Sequence, residues 1–169
     1  MAEQNKKAKI ILEAVKVFAK DGFEKASIDM VALKAKVAKG TIFYHYKSKK
    51  GLFEAIITEG ERKFNSEVSE KLGKVKSPAK KIEIVIDAER GFISKHKELF
   101  KVLIDDLLIK GRSFEIAENI ITEGIKSGDF RSDISPKTMS ASIFWLVAMT
   151  SLNGGNEGQE KIILEGIKK

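Results

Sequence analysis

KGTIFYHYKSKKGLF, residues 39–53, gathers both tyrosines of the chain, two of its phenylalanines, one of its two histidines and four of its lysines into one short stretch. A solvated helix face has no use for the rings, and a core has no use for the lysines. A surface that grips a polyanion uses both, the rings as stiff supports for polar tips and the lysines as counter-charge. The flanking residues give the stretch a shape. Ser27 is an N-cap residue ahead of a short helix, Asp29 suits the positive end of its dipole, and Met30, Val31, Leu33 and Ala35 supply its apolar side. Lys36-Val37-Ala38 leaves room only for a tight turn, and a further short helix is predicted over Lys39–Tyr46. Two short helices joined by so brief a turn, the second rich in polar tips, describe a helix-turn-helix. The second helix of such a unit enters the major groove of DNA while the first lies across the backbone.

Charge points the same way. Residues 1–50 hold 12 lysines against 5 acidic residues, and residues 51–169 hold 19 basic and 19 acidic residues, so the whole net charge of +7 sits in the first third. A basic excess confined to one segment favours a nucleic-acid partner. Other classes are disfavoured by what the chain lacks. It has no cysteine, hence no disulfide, thiolate metal site or cysteine nucleophile, and its two histidines, His45 and His96, do not make a multi-histidine metal site. No phosphate loop of the G-x-x-x-x-G-K-[ST] type occurs, so an enzyme is not expected, nor is a metal or other cofactor. No apolar run reaches membrane-spanning length, and MAEQNKKAK leads into an amphipathic stretch rather than a signal peptide, so no membrane partner and a cytoplasmic location are expected.

Outward from the motif the pattern is helical throughout. Ile11, Ala14, Val15 and Phe18 line one face of a helix predicted from Lys6 to Lys20, which Asp21-Gly22 should end. Ser48 caps a long helix carried to Leu72 by Phe53, Ile57, Phe64 and Val68. Ser77-Pro78 and Ser135-Pro136 each offer a cap serine followed by proline at the first helical position. Helices are expected over Pro78–Lys95, onward through Leu99, Leu103 and Leu107, up to Gly128 after a break at Gly111, over Pro136–Leu152, and over Glu157–Ile167 beyond a turn at residues 153–156. The fold class is all-α, with a three-helix DNA-binding domain at 1–47 and a helical domain at 48–169, joined by the long helix.

The stretch GFEKASIDMVALKAKVAKGTIFYHYKSKKGLF resembles the DNA-binding module of the TetR family of transcriptional regulators. Gly22-Phe23, Ser27-Ile28, Ala32, Ala35, Val37, Lys39-Gly40-Thr41, Phe43, Tyr46 and Ser48-Lys49 stand at that family's spacing, and GIKSGDFRSDISP, residues 124–136, is similar to the junction before its penultimate helix. The resemblance implies that Lys39, Gly40 and Thr41 open the recognition helix. Gly40 would let the backbone approach DNA closely. Thr41 would donate to a phosphate or touch a thymine methyl, and Tyr44 and His45 would reach phosphates or base edges. Ser27 would serve as both cap and phosphate contact. Lys49 would meet the phosphate backbone, which would offset the poor placement of a cation in a helix's first turn. Phe43 and Tyr46 are expected to face the small core with Phe18 and Phe23. Three positions depart from the family pattern: Lys36 where the turn usually has glycine, Ala38 where the recognition helix usually has a serine cap, and Gly51 where an acidic residue is common.

For the electrically neutral remainder, the resemblance implies a ligand-binding and dimerisation domain. Candidates for lining a pocket are Phe64, Phe92, Phe100, Leu103, Trp145 and Met149, with plain core as the competing role. Candidates for the dimer interface are Ile143, Val147, Ile162, Ile163 and Ile167, with core at equal odds. The implied function is a ligand-responsive regulator, usually a repressor, that binds a palindromic double-stranded operator as a homodimer and is released by a small-molecule effector. The alternative is a DNA-binding regulator without a small ligand, controlled by a protein partner or constitutive.

Overall fold

The computed structural model describes residues 2–110, 115–153 and 158–168, with side chains at 3–104, 115–153, 162 and 164–168. Among these the chain is helical and holds no strand. The helices are α1 (Ala2–Lys25), α2 (Ile28–Ala35), α3 (Lys39–Tyr46), α4 (Lys49–Leu72), α5 (Pro78–Lys95), α6 (Lys97–Lys110), α7 (Glu115–Ser127), α8 (Pro136–Asn153) and α9 (Gly158–Ile167). The expected break at Gly111 and most of the expected turn at 153–156 lie outside the described residues. Four helices start on serine, as their sequences predict. Ser27 Oγ accepts from the Met30 amide at 3.1 Å, Ser48 Oγ from Gly51 at 2.9 Å, Ser77 Oγ from Lys80 at 3.4 Å and Ser135 Oγ from Thr138 at 3.1 Å. One boundary differs. α1 does not stop at Lys20 but bends at Gly22 (φ 71, ψ 169) and continues to Lys25. Only glycine adopts that backbone readily, so the residue expected to end the helix kinks it instead.

The chain divides into two compact units, residues 1–63 with 97–110, and residues 64–96 with 111–169. In the first, α1 packs on α2 and α6, and α2 on α3. Ile10, Ala14, Val17 and Phe18 of α1, Val31 and Ala35 of α2, Ile42 of α3, Leu52, Phe53, Ile56 and Ile57 of α4, and Val102 of α6 are buried in one cluster. Its aromatic corner is Phe18, Phe23 and Phe53, with ring centroids 5.0 to 6.0 Å apart. Full burial of each such side chain contributes about 1.5 to 3 kcal/mol, which is what lets helices as short as α2 and α3 persist.

In the second unit, α5 packs on α7 and α8, α8 on α7 and α9, and α5 on α9. Ile82, Val85, Ile86, Phe92, Ile121, Phe130, Ile143 and Val147 fill its core. Lys81 and Glu123 bridge α5 and α7 at 2.7 Å. Arg131 secures the end of α9, with its amide donating to the Ile167 carbonyl at 3.0 Å and its Nη1 to the Gly166 carbonyl at 3.2 Å.

Candidate nucleic-acid interface

The turn between α2 and α3 is built on a left-handed lysine. Lys36 has φ 55 and ψ 48. Its amide donates to the Leu33 carbonyl at 3.2 Å, and the Val37 amide donates to the Ala32 carbonyl at 3.1 Å. That paired arrangement closes a helix C-terminus and ordinarily uses glycine at the left-handed position. Lys36 is exposed and makes no ion pair among the described residues. α3 then begins at Ala38, whose backbone is extended (φ −66, ψ 143) and which supplies no side-chain cap. α3 ends in a second special turn. The Ser48 amide donates to the Tyr46 carbonyl at 2.8 Å across Lys47, at φ 66 and ψ −37, the rare and strained form of γ-turn. The Tyr46 carbonyl also explains Gly51, since a Cβ there would collide with that oxygen. A larger side chain has no room here.

α3 divides sharply into an inner and an outer face. Ile42 is its one buried residue, and Thr41, His45 and Tyr46 are half-buried beside it. The Tyr46 hydroxyl lies 3.5 Å from the Lys7 carbonyl, and burial raises its pKa above the ordinary tyrosine value. Gly40, Phe43, Tyr44 and Lys47, at i, i+3, i+4 and i+7, form the outer face. Tyr44 is 70% exposed and Phe43 39%. The expectation that Phe43 faces the core is therefore corrected. One step along a helix turns a side chain by about 100°, so burying Ile42 carries Phe43 outward with Tyr44. At Gly40 a Cβ would meet no protein atom within 4 Å. Lys47 stiffens this face, its ammonium donating to the Tyr44 carbonyl at 3.0 Å and lying 5.6 Å from the Tyr44 ring centroid. The His45 ring packs edge-on against Tyr44 at 5.0 Å.

Two lysines expected to contact DNA are engaged within the protein. Lys39 pairs with Asp29 at 2.9 Å, tying α3 to α2 through an exposed contact that is readily exchanged for another anion. Lys49 is engaged more deeply. Its ammonium donates to the carbonyls of Phe23, Glu24 and Ala26 at 2.8, 3.0 and 3.3 Å, and it lies 4.6 Å from the Phe23 ring centroid. Those carbonyls are the negative end of α1, so the cation that is badly placed in α4 is well placed against α1. Ser27 spends its Oγ on the α2 cap and remains exposed. The sequence missed Phe43 and Lys47 as outward residues. The i, i+3, i+4, i+7 spacing from Gly40 was the signal that could have found them.

The ligand and dimer candidates scatter. Phe64 and Phe92 meet edge-on in the second unit, with centroids 5.6 Å apart. Phe100 and Leu103 lie on α6 in the first unit, where Leu103 packs on the core of the DNA-binding helices. Trp145 is half-buried against Phe144, and Met149 is 53% exposed and lines no interior. Of the dimer candidates, Ile143, Val147 and Ile167 are buried within their own unit and are corrected to core. Ile162 is 74% exposed, and the side chain of Ile163 lies outside the described residues.

Helical throughout its described residues, with a helix-turn-helix in its basic third, the chain has the make-up of a DNA-binding protein. Residues 10–56 match the model of the bacterial regulatory proteins of the tetR family. Over 155 residues the chain is 23% identical to the fatty acid metabolism regulator protein of Bacillus subtilis (strain 168), covering 83% of this chain and 79% of that one. Among solved structures it is similar to a candidate fatty acid metabolism regulator of Clostridium perfringens, with TM-score 0.79 and 23% identity over 95% of this chain and 99% of that one. It is also similar to the transcriptional regulator FadR of Bacillus subtilis in complex with stearoyl-CoA, with TM-score 0.72 and 19% identity over 94% and 95% of the two chains. Over residues 10–56 the chain matches the tetR family, and over nearly its whole length it shares the fold of these solved regulators.

Proposed function

We propose that the protein is a homodimeric repressor that binds a palindromic operator in the cytoplasm and leaves it when an acyl-CoA binds its second unit. The observation that carries the DNA-reading half is the outer face of α3, where Gly40, Phe43, Tyr44 and Lys47 stand exposed in the segment that holds the whole net charge. Gly40 and the α3 amides, uncapped at Ala38, suit a phosphate. Phe43 suits a thymine methyl, and Tyr44 suits a base edge or phosphate. Thr41 and His45 flank this face, Ser27 meets a phosphate beside it, and Lys39 exchanges Asp29 for a phosphate on binding. In this reading residues 1–47 read DNA and residues 48–169 bind the effector and pair the subunits, with α6 and residues 49–63 packed as support for the former.

The effector class rests on similarity to the fatty acid metabolism regulator and to the stearoyl-CoA complex. Release needs only that the effector bind one of two dimer states more tightly than the other. Pairing rests on an unburied apolar line along α8, Trp145, Met149 and Leu152, together with Ile162 of α9. A two-fold dimer would cover that line and present two α3 helices to two half-sites. The experiment is fluorescence anisotropy on labelled DNA from upstream of the gene, with stearoyl-CoA added. Binding lost on addition supports the proposal. Binding that is indifferent to acyl-CoA would leave a regulator without this effector, and absence of DNA binding would overturn the whole.

A further inference from the structure

Glu89 stands where its helix calls for a hydrocarbon. α5 turns Ile82, Val85, Ile86, Phe92 and Ile93 into the core of the second unit. Glu89 shares that face, four residues after Val85 and three before Phe92, and is itself only 6% exposed. Its Oε2 has no hydrogen-bond partner among the described residues. An unpartnered carboxyl in such a place costs free energy, and a fold with no use for it would carry leucine there. Burial pushes the Glu89 carboxyl up to about 8, with no basic side chain contributing to the shift. At neutral pH the group therefore keeps its proton and offers an O–H donor.

The neighbourhood has the make-up of a ligand wall. One turn along α5 the Phe92 ring meets Phe64 of α4 at 5.6 Å, and His96 closes the end of the helix with its ring 4.9 Å from Phe92. α8, which packs on α5, carries a further buried oxygen without a hydrogen-bond partner among the described residues, Ser151 Oγ. Cores seldom keep two such orphans on adjoining helices unless something else completes them.

We propose that Glu89 is the polar anchor of the effector site, its carboxyl O–H donating to the carbonyl oxygen of an acyl group whose hydrocarbon chain lies against the surrounding apolar and aromatic side chains. This rests on the effector reading above. The chemistry selects among ligands: an acyl carbonyl only accepts, matching a neutral acid, whereas a free carboxylate would bring a second acid and a cationic ligand would require Glu89 to ionise within hydrocarbon.

The test is binding of two probes to the full-length protein by calorimetry: stearoyl-CoA, and its thioether analogue in which a methylene replaces the carbonyl. Wild type should prefer the thioester by roughly tenfold, the size of one well-made hydrogen bond. Glu89→Gln, which keeps a donor, should retain most of that preference. Glu89→Leu and Glu89→Met, checked for folding by thermal melting, should bind both probes alike. A wild type that binds both probes equally, or a Glu89→Leu variant that keeps the preference, would overturn the anchor while leaving the acyl-CoA reading intact. A wild type that binds neither probe would overturn both.

Discussion

At Lys49 three backbone carbonyls converge on one ammonium, those of Phe23, Glu24 and Ala26. Each is a terminal carbonyl of α1 or just beyond it, with no helical amide to receive. Lys49→Met keeps the apolar stem and removes the donor, so it should destabilise the free protein by about 1.5 to 3 kcal/mol, the range for hydrogen bonds to a charged group. Urea titration measures the loss. DNA affinity per folded molecule should stay near wild type. Unchanged stability with weakened DNA binding would return Lys49 to a phosphate. Lys36 poses the opposite case. Its left-handed backbone favours glycine, and its side chain makes no ion pair among the described residues. Lys36→Gly should therefore stabilise the fold, by about 0.5 to 1 kcal/mol once glycine's extra freedom in the unfolded chain is discounted. As a hypothesis motivated by that unpaired charge at the head of α3, the same change should weaken DNA binding and make its log–log salt slope shallower by about 0.9. The two effects have opposite signs, and a variant that gains both stability and affinity would refute the phosphate role.

At the scale of elements, α3 is the least self-sufficient piece of the first unit. It is 8 residues long, buries only Ile42 fully, lacks a side-chain cap, and is held at both ends by lysines with positive φ. A serine in place of Ala38 would have the right extended backbone to accept from the amides of Gly40 or Thr41. Ala38→Ser should raise the melting temperature of the free protein, with a gain of about 0.5 to 2 kcal/mol. A lowered midpoint would show that the α3 amides already have better partners. Helix existence was legible throughout because serine caps, prolines and apolar spacing act within one or two turns. The inward face of α3 was not. Ile42, Phe43 and Tyr46 are all apolar enough to face a core, and only packing against α2 and α4 chooses among them.

For the molecule as a whole, the outward line of Trp145, Met149, Leu152 and Ile162 is the surface that a dimer would remove from water. Met149→Glu should shift light scattering at micromolar concentration from twice the chain mass toward 18.8 kDa, and should weaken operator binding with it. A variant that stays dimeric would place the interface elsewhere. Glu89 sets a pH dependence of opposite sense to the usual acid. Its folded-state pKa, about 8, lies above the ordinary 4.5, so the folded state holds a proton that the unfolded state releases between those values. Its contribution is therefore fully present below about pH 4 and declines as pH rises, by up to about 1.4 kcal/mol per unit until pH 8. Glu89→Gln removes this term. The stability of the variant minus that of wild type should grow steadily from pH 5 to pH 8, and a constant difference would mean that Glu89 is ionised or solvated in the fold.

By itself the sequence determined the helices of the described residues, the serine caps, the helix-turn-helix and the basic character of the first third, because each depends on residues close together in the chain. It marked Lys36, Ala38 and Gly51 as departures but not what each does. Tertiary structure decided those: the Tyr46 carbonyl that excludes a side chain at Gly51, and the α1 carbonyls that claim Lys49. It also sent Phe100 and Leu103 to the first unit, buried Ile143, Val147 and Ile167, and left Met149 outside. An apolar residue states that it will be covered. Which surface covers it depends on helices far away in sequence, and that information resides only in the fold.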